Sequence, residues 1–406
     1  MQVLMLSPEA PYPLHGGGSF RTASLLHFFA HFASVDLILL SSSVGAPELP
    51  PGLVRRQHFV RLPHHGKGRA ERYARNASRS IRGVPPLVDR FAGFDREIEQ
   101  GVDGRRYDLG IVEHFWCAPY IGLMEKFCTE TVLDLHNIES VWHARCADAG
   151  ASGGEGRLLR LGHRRFADAA QKLEAALLPR YSSVLTTSKQ DARQIAAIAP
   201  TAKVHVYPNA LPRADLPQAQ EFPRVVFSGN FEYHPNIDAV GWLMREVWPE
   251  VTKRDPELRL RLVGRNDSCI RHLLPESGVE TTGEIDDART EIAQARVVIA
   301  PLRAGSGTRL KILEAWAAGR CVVATSLAAE GLAAQDGVNI AIEDDARSFA
   351  ARVARLASDP AGRARLGLAG RRTFEDKYSW ERVWERLNFD LQLTHAPGLN
   401  GYTGKF

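Results

Sequence analysis

The chain has 406 residues, 44% hydrophobic and 24% charged, with a formal net charge of +4. That length suits two or three domains, each with its own core, and the small basic excess does not by itself argue for nucleic acid. Five scattered cysteines (Cys117, Cys128, Cys146, Cys269, Cys321) with no C-x-x-C pair point to a reduced, cytoplasmic protein without structural zinc.

The opening MQVLMLSPEAPYP lacks a basic start and meets prolines early, so Val3–Ser7 reads as a first strand rather than part of a signal peptide. Pro8, Pro11 and Pro13 stiffen a loop that runs into Gly16-Gly17-Gly18. A helix is predicted from about Ser19 to Phe32, with Leu25, Leu26 and Phe29 at helical spacing. Strand, glycine loop and helix open a Rossmann-like unit, although the loop is not G-x-G-x-x-G. The three glycines fit either a plain turn or a backbone approached closely by a ligand.

Val35–Leu40 and His58–Leu62 are predicted as the next strands. Between Arg55 and Arg82 stand nine Lys/Arg against one acid, Glu71. This fits a solvated face, or a surface for anionic lipid headgroups or an anionic acceptor. Aromatics are not interleaved with these cations, so nucleic acid is not an expected partner. No apolar run approaches the roughly 18 residues of a spanning helix, so any membrane contact would be peripheral.

Asp108–Val112 is predicted as a strand leading into Glu113-His114, and Val132–Leu135 as one leading into His136-Asn137. Residues just beyond strand C-termini face the ligand crevice of an α/β sheet. His114 and His136 can therefore be ligand-facing or structural. Glu139–Arg180 reads as helical with a break at Gly150–Gly154, and Arg157, Arg160, Arg164 and Arg165 give it a second basic surface. Ser183–Thr187 and Val204–Tyr207 complete the first set of strands, and Pro212–Pro223 reads as a linker.

A second Rossmann-like unit starts with a strand at Arg224–Phe227, followed by Ser228-Gly229-Asn230. A helix over Pro235–Lys253, a strand over Leu258–Val263 and a short strand over Val279–Thr282 before Gly283 follow. Then comes IAPLRAGSGTRLKILEAWAAG, Ile299 to Gly319. A buried strand ends there, Gly305, Ser306 and Gly307 break the chain, and a helix starts near Thr308. Free N–H groups and the helix dipole favour an anion at such an end. Arg309 and Lys311 add positive charge, and Glu314 follows Lys311 by three residues. Two readings fit: a diphosphate and ribose site, or a solvated i,i+3 pair on an ordinary helix. Asp286-Asp287 and Asp344-Asp345 read as surface or helix-start acids rather than Mg²⁺ ligands. Helices over Ala346–Leu356, Ala361–Asp376 and Trp380 to about Gln392 close the chain.

The Ile299–Gly319 stretch resembles the signature of family 4 retaining glycosyltransferases of the GT-B fold. That signature is E-G-x-G followed by a helix ending L-E-A. Ser306 takes the place of its first glutamate and Glu314 of its second. GSGTRLKILEAW looks like a sub-pattern that has lost the first glutamate and gained Lys311. Cys321–Thr325 and Glu330-Gly331-Leu332 match as well, and the resemblance is sharp from about Arg224 to Leu332. It implies an α/β protein with two Rossmann-like domains facing across a cleft and a C-terminal helix crossing back. The expected divisions are an acceptor-binding domain at 1–210, a nucleotide-sugar domain at 211–378, and a returning helix and tail at 379–406.

The implied activity is metal-independent, retaining transfer of a sugar from a nucleoside-diphosphate sugar, with no cofactor. The acceptor would be a polysaccharide, a glycolipid or a small molecule. Pro13–Gly17 coincides with the family's P-x-x-G-G element, so Gly17 and Gly18 would lie against the donor. His114 would contact the donor sugar, while His15 and His136 are acceptor-side candidates. Tyr207-Pro208-Asn209 matches an interdomain turn, with Ala210 in place of glycine. Gly229, Asn230 and Gly283 would line the donor site, with Ser306, Gly307 and Thr308 as the helix end. Arg309 and Lys311 would stabilise the leaving diphosphate, and Glu314 would hold the ribose. Two departures stand out. Ser306 leaves the donor sugar open, and the Gly229–Asn236 loop lacks the family's Arg and Lys, so Lys311 is expected to compensate. A GT-B nucleotide-sugar 2-epimerase and a non-catalytic nucleotide-sugar-binding or scaffold protein are the competing readings. Peripheral contact with anionic membrane at the inner face, through Arg55–Arg82, is a further expectation.

Overall fold

The computed structural model describes residues 1–14, 16–43, 45–63, 68–152, 157–275, 277–285, 288–305 and 310–391. The chain divides into two compact units, Met1–Asn209 with Val383–Phe406, and Ala210–Arg382.

The first unit is built on seven parallel strands: β1 (Gln2–Ser7), β2 (Ser34–Ser41), β3 (Arg56–Arg61), β4 (Tyr107–Glu113), β5 (Cys128–Asp134), β6 (Ser183–Thr186) and β7 (Val204–Val206). Their spatial order is β3-β2-β1-β4-β5-β6-β7. β1 is flanked by β2 and β4, with Met5 beside both Leu37 and Ile111. Helices on both faces bury such strands completely, and Val3, Leu4, Met5 and Leu6 are fully buried. The strand order reverses between β1 and β4. Ligand crevices in doubly wound sheets open at that reversal, beyond the strand C-termini. Here those ends are Ser7 and Glu113, which lead into the PEAP loop and into His114.

The second unit repeats the plan with β8 (Phe222–Ser228), β9 (Arg259–Val263), β10 (Val279–Thr281), β11 (Ala295–Ala300), β12 (Val322–Ala324) and β13 (Ala341–Ile342). The order is β10-β9-β8-β11-β12-β13, all parallel. Its reversal lies between β8 and β11. The loop after β8 therefore lies beside the start of the segment that follows β11.

One predicted element differs. The helix expected over Pro235–Lys253 is interrupted: His234–Trp242 is α-helical, Leu243–Val247 is a π turn, and Trp248–Arg254 resumes as α-helix. Pro249 has no N–H to donate to the preceding turn, and a widened turn absorbs the missing bond.

The last helix, Trp380–Asp390, carries the chain back into the first unit at Val383. There Trp384 is 1% exposed, and its indole N–H lies 3.1 Å from the Ser24 carbonyl and 3.0 Å from Ser24 Oγ. Trp384→Ala should therefore cost the first unit about 3–5 kcal/mol, read by denaturant unfolding. A change below 1 kcal/mol would show that this helix does not contribute to that core. No helix among the described residues is long and apolar enough to cross a membrane.

Candidate functional site

In the first unit the loop after β1 turns back at once. Ser7 Oγ donates to the Glu9 carbonyl at 2.7 Å and accepts from the Glu9 N–H at 3.2 Å. This places the Glu9 carboxylate against the start of the Gly17–Ala30 helix. A Cβ at Gly18 would sit 1.7 Å from Glu9 Oε2, so only glycine leaves room for that carboxylate. Glu9 Oε2 also lies 3.1 Å from His114 Nε2.

His114 follows β4 with φ 63°, a left-handed conformation uncommon for a side chain of this size. Strained backbone of this kind clusters at functional sites. The backbone is locked by His114 N–H donating to the Asp134 carbonyl at 2.9 Å. The ring is stacked between Trp116 (centroids 4.1 Å apart) and His136 (3.5 Å). Burial, aided by the charge on His136, lowers the His114 pKa to about 4, so the ring is neutral at pH 7. A neutral ring bonded to a carboxylate carries its proton on Nε2.

His136 takes the opposite charge state. Burial alone would lower its pKa, but the carboxylates of Asp134 and Glu113 prevail and raise it to about 9. Its Nε2 lies 2.7 Å from Glu113 Oε2 and 3.4 Å from Asp134 Oδ2. Glu113 is pushed up by burial and by the neighbouring charge of Asp134. Asp134 is also buried, yet Arg21 pulls it down to about 2. Arg21, 1% exposed, makes a bidentate pair with Asp134, with Nε 2.6 Å from Oδ2. Its Nη1 donates to the Tyr207 carbonyl at 2.6 Å and to Asn209 Oδ1 at 3.0 Å. The result is a buried relay, Arg21–Asp134–His136–Glu113, beneath a neutral histidine that faces Glu9.

Glu9, His114 and His136, and separately Glu113, Asp134 and His136, bring their ligand atoms within 4.8 Å of one another. Both sets share His136, whose ring is bonded to Glu113 and lies 3.4 Å from Asp134 Oδ2. His136 is thus part of the floor beneath His114. Sequence reasoning missed Glu9, Arg21 and Asp134; the only signal for Glu9 was its place just past a buried strand.

The crowding at Gly18 gives a direct test. Gly18→Ala must displace the flexible Glu9 carboxylate, so it should destabilise the native chain. In a Glu9→Ala background the space is open, and alanine near a helix start should be neutral or stabilising. Thermal melts of the four proteins check this coupling. Equal effects of Gly18→Ala in both backgrounds would remove Glu9 from the site.

In the second unit, β8 and β9 pinch together at their ends. A Cβ at Gly264 would lie 2.0 Å from the Gly229 carbonyl oxygen, and Gly264 has φ 136°. Asn230 Oδ1 accepts from the Glu232 N–H at 3.0 Å and from Asn266 Nδ2 at 2.8 Å, which shapes the loop. Gly283 (φ 67°) follows Thr282, whose Oγ1 accepts from the Gly264 N–H at 3.2 Å. Gly305, at φ 101°, turns the chain after β11. Arg303 is held by Asp238 at 2.9 Å and packs against the face of Trp242.

Lys311 is the second residue of the helix Leu310–Ala317 and is half-buried. Its Nζ lies 4.6 Å above the Phe227 ring centroid and donates to Asn236 Oδ1 at 2.9 Å. Lys311 thus turns toward the loop after β8. Glu314 lies one turn further along the same helix, half-buried. Ser306, Gly307, Thr308, Arg309 and His15 lie outside the described residues.

Two doubly wound parallel sheets make this an α/β protein of two Rossmann-like units, and its solved structural neighbours have the GT-B fold. Within that class, residues 222–359 match the Glycosyl transferases group 1 family. The chain is 29% identical over 160 residues to a GDP-mannose-dependent monoacylated alpha-(1-6)-phosphatidylinositol monomannoside mannosyltransferase of Corynebacterium glutamicum, covering 36% of this chain and 42% of that one. The chain spans 44% and 42% of the length of the curated relatives it matches. Among solved structures, sucrose-phosphate synthase from Thermosynechococcus elongatus aligns over 98% of this chain and 100% of its own, with TM-score 0.73 and 16% identity. HepE of Anabaena in complex with UDP and glucose aligns over 97% and 99%, with TM-score 0.59 and 14% identity. At these identities the likeness is one of fold.

Proposed function

We propose that the chain is a glycosyltransferase that moves a sugar from a nucleoside-diphosphate sugar to a hydroxyl acceptor. The second unit would hold the nucleotide diphosphate and the first would present the acceptor. The observation that carries this reading is Lys311, fixed at the β8–β11 reversal inside the segment matched to the Glycosyl transferases group 1 family. When the glycosidic bond breaks, charge builds on the departing diphosphate. A positioned ammonium stabilises that charge more than it stabilises the intact donor, which is what accelerates the step. Arg309 and the helix end at Ser306–Thr308 would share the task, with Glu314 on the ribose. Gly229, Asn230 and Gly283 would line the donor. A fixed cation of this kind can do the work of a divalent metal.

In the first unit a neutral His114, with its Nε2 proton on Glu9, would offer Nδ1 as an acceptor to a sugar hydroxyl. Retention of configuration follows from the resemblance of the Ile299–Gly319 stretch alone. The relative that acts on a phosphatidylinositol monomannoside suggests a lipid-linked acceptor, and Arg55–Arg82 could rest on anionic lipid. Ion pairs take part of that charge, since Arg55 pairs with Asp36 and both Arg79 and Arg82 with Asp89. Ile81, 83% exposed, adds an apolar contact on that surface. Co-sedimentation with phosphatidylserine vesicles, lost on reversing the charge of exposed Arg82, is the expected sign; equal recovery with neutral vesicles would exclude the contact.

The functional test uses UDP-, GDP-, ADP- and dTDP-sugars. One donor class should raise the melting temperature in proportion to its occupancy and should slowly release its nucleoside diphosphate. A 2-epimer formed from the donor alone would identify an isomerase. Binding with no turnover, with or without acceptors, would identify a binding protein.

A further inference from the structure

The loop after β8, Gly229 to Asn236, contains no Lys or Arg, although it borders the place where a diphosphate would lie. The structure brings a cation to that loop from elsewhere in the chain. Lys311 arrives from the helix that follows β11, 75 residues away, and is met by Asn236. Asn236 is 4% exposed, and both ends of its amide are engaged. Nδ2 donates to the Asn230 carbonyl at 2.8 Å, and Oδ1 accepts from Lys311 at 2.9 Å. The partners on each side fix which way the amide points, since a carbonyl needs a donor and an ammonium an acceptor. The fit also depends on Gly229: a Cβ there would come 2.8 Å from Asn236 Nδ2.

Phe227, at the end of β8, supplies the other wall under the ammonium. The Asn236 amide orients the ammonium without itself adding a negative charge, whereas a carboxylate at that position would compete with an incoming anion. We propose that Asn236 is a positioning residue that holds Lys311 for the diphosphate of the donor. On this view the loop after β8 and the Leu310–Ala317 helix form one phosphate-binding unit, with the loop's cation supplied through Asn236. This inference rests on the donor site proposed above.

The test is calorimetric titration of UDP, GDP, ADP and dTDP into the full chain. The proteins are native, Lys311→Ala, Asn236→Ala, Asn236→Asp and the double variant Lys311→Ala/Asn236→Ala. Asn236→Ala should weaken binding of the preferred diphosphate by about tenfold to a hundredfold, the range for a hydrogen bond to a charged group. In the Lys311→Ala background the same change should add almost nothing, because Asn236 acts through the ammonium. Asn236→Asp keeps an acceptor for Lys311 but gives up the donor to the Asn230 carbonyl, so its melting temperature is measured alongside; its added negative charge should make it bind more weakly than Asn236→Ala. A role confined to packing predicts the reverse ranking. Native-like binding by Asn236→Ala, or an equal loss in both backgrounds, would overturn the inference alone if Lys311→Ala is impaired. If the native chain binds none of the four, or Lys311→Ala binds as well as native, the donor-site reading falls and this inference falls with it.

Discussion

Lys311→Ala is expected to lower the release of nucleoside diphosphate from the preferred donor by about 10²–10³-fold, the usual cost of removing one preorganised electrostatic stabiliser. The fold should survive. The substitution removes a cation–π contact with Phe227 and one hydrogen bond to Asn236. Together these are worth on the order of 1–3 kcal/mol in a large domain. Turnover and thermal melting must be measured on the same preparation. Turnover within threefold of native would remove Lys311 from the chemistry. A large loss of melting temperature with proportionate loss of activity would make Lys311 a structural residue.

The second large effect concerns stability. Asp134→Ala leaves the Arg21 guanidinium buried without its carboxylate, and breaking a buried pair on one side costs about 3–5 kcal/mol. At roughly 2–4 °C per kcal/mol for a unit of this size, melting of the first unit should fall by about 10 °C. Replacing both partners, as in Arg21→Met/Asp134→Leu, should recover much of that loss, because no lone charge remains. A single variant as stable as native would contradict the relay described beneath His114.

The same relay sets a pH dependence. Asp134 has a folded pKa of about 2, below its ordinary value near 3.9. It therefore stabilises above about pH 4, and that contribution is lost as pH falls toward 2. His136 has a folded pKa of about 9, above its ordinary value near 6.5. Its contribution is complete below about pH 6.5 and is lost as pH rises toward 9. The stability difference between native and His136→Gln should shrink across that upper window.

The sequence disclosed what is local. Hydrophobic strands ending in glycine or histidine, each followed by a helix, specify two Rossmann-like units. The strand end at Val297-Val298-Ile299 and the turn at Gly305 were legible in the same way. What remained hidden depends on long-range pairing. Arg21 reads as an ordinary charged helix residue until Asp134, 113 residues later, is brought to it. Lys311 and Glu314 are three residues apart and invite an i,i+3 reading, but the bond from Lys311 to Asn236, 75 residues earlier, carries no local signal. Glu9 carries no motif. Its position over Gly18 appears only when the loop after β1 is folded back by Ser7.

The most direct measurement is a crystal of the full chain grown with UDP or GDP, whichever raises its melting temperature more. The diphosphate oxygens should lie within about 3 Å of Lys311 Nζ, the length of a charge-assisted hydrogen bond. A nucleotide seated away from Lys311, with the ammonium still turned to Asn236 and no phosphate beside it, would contradict the proposal.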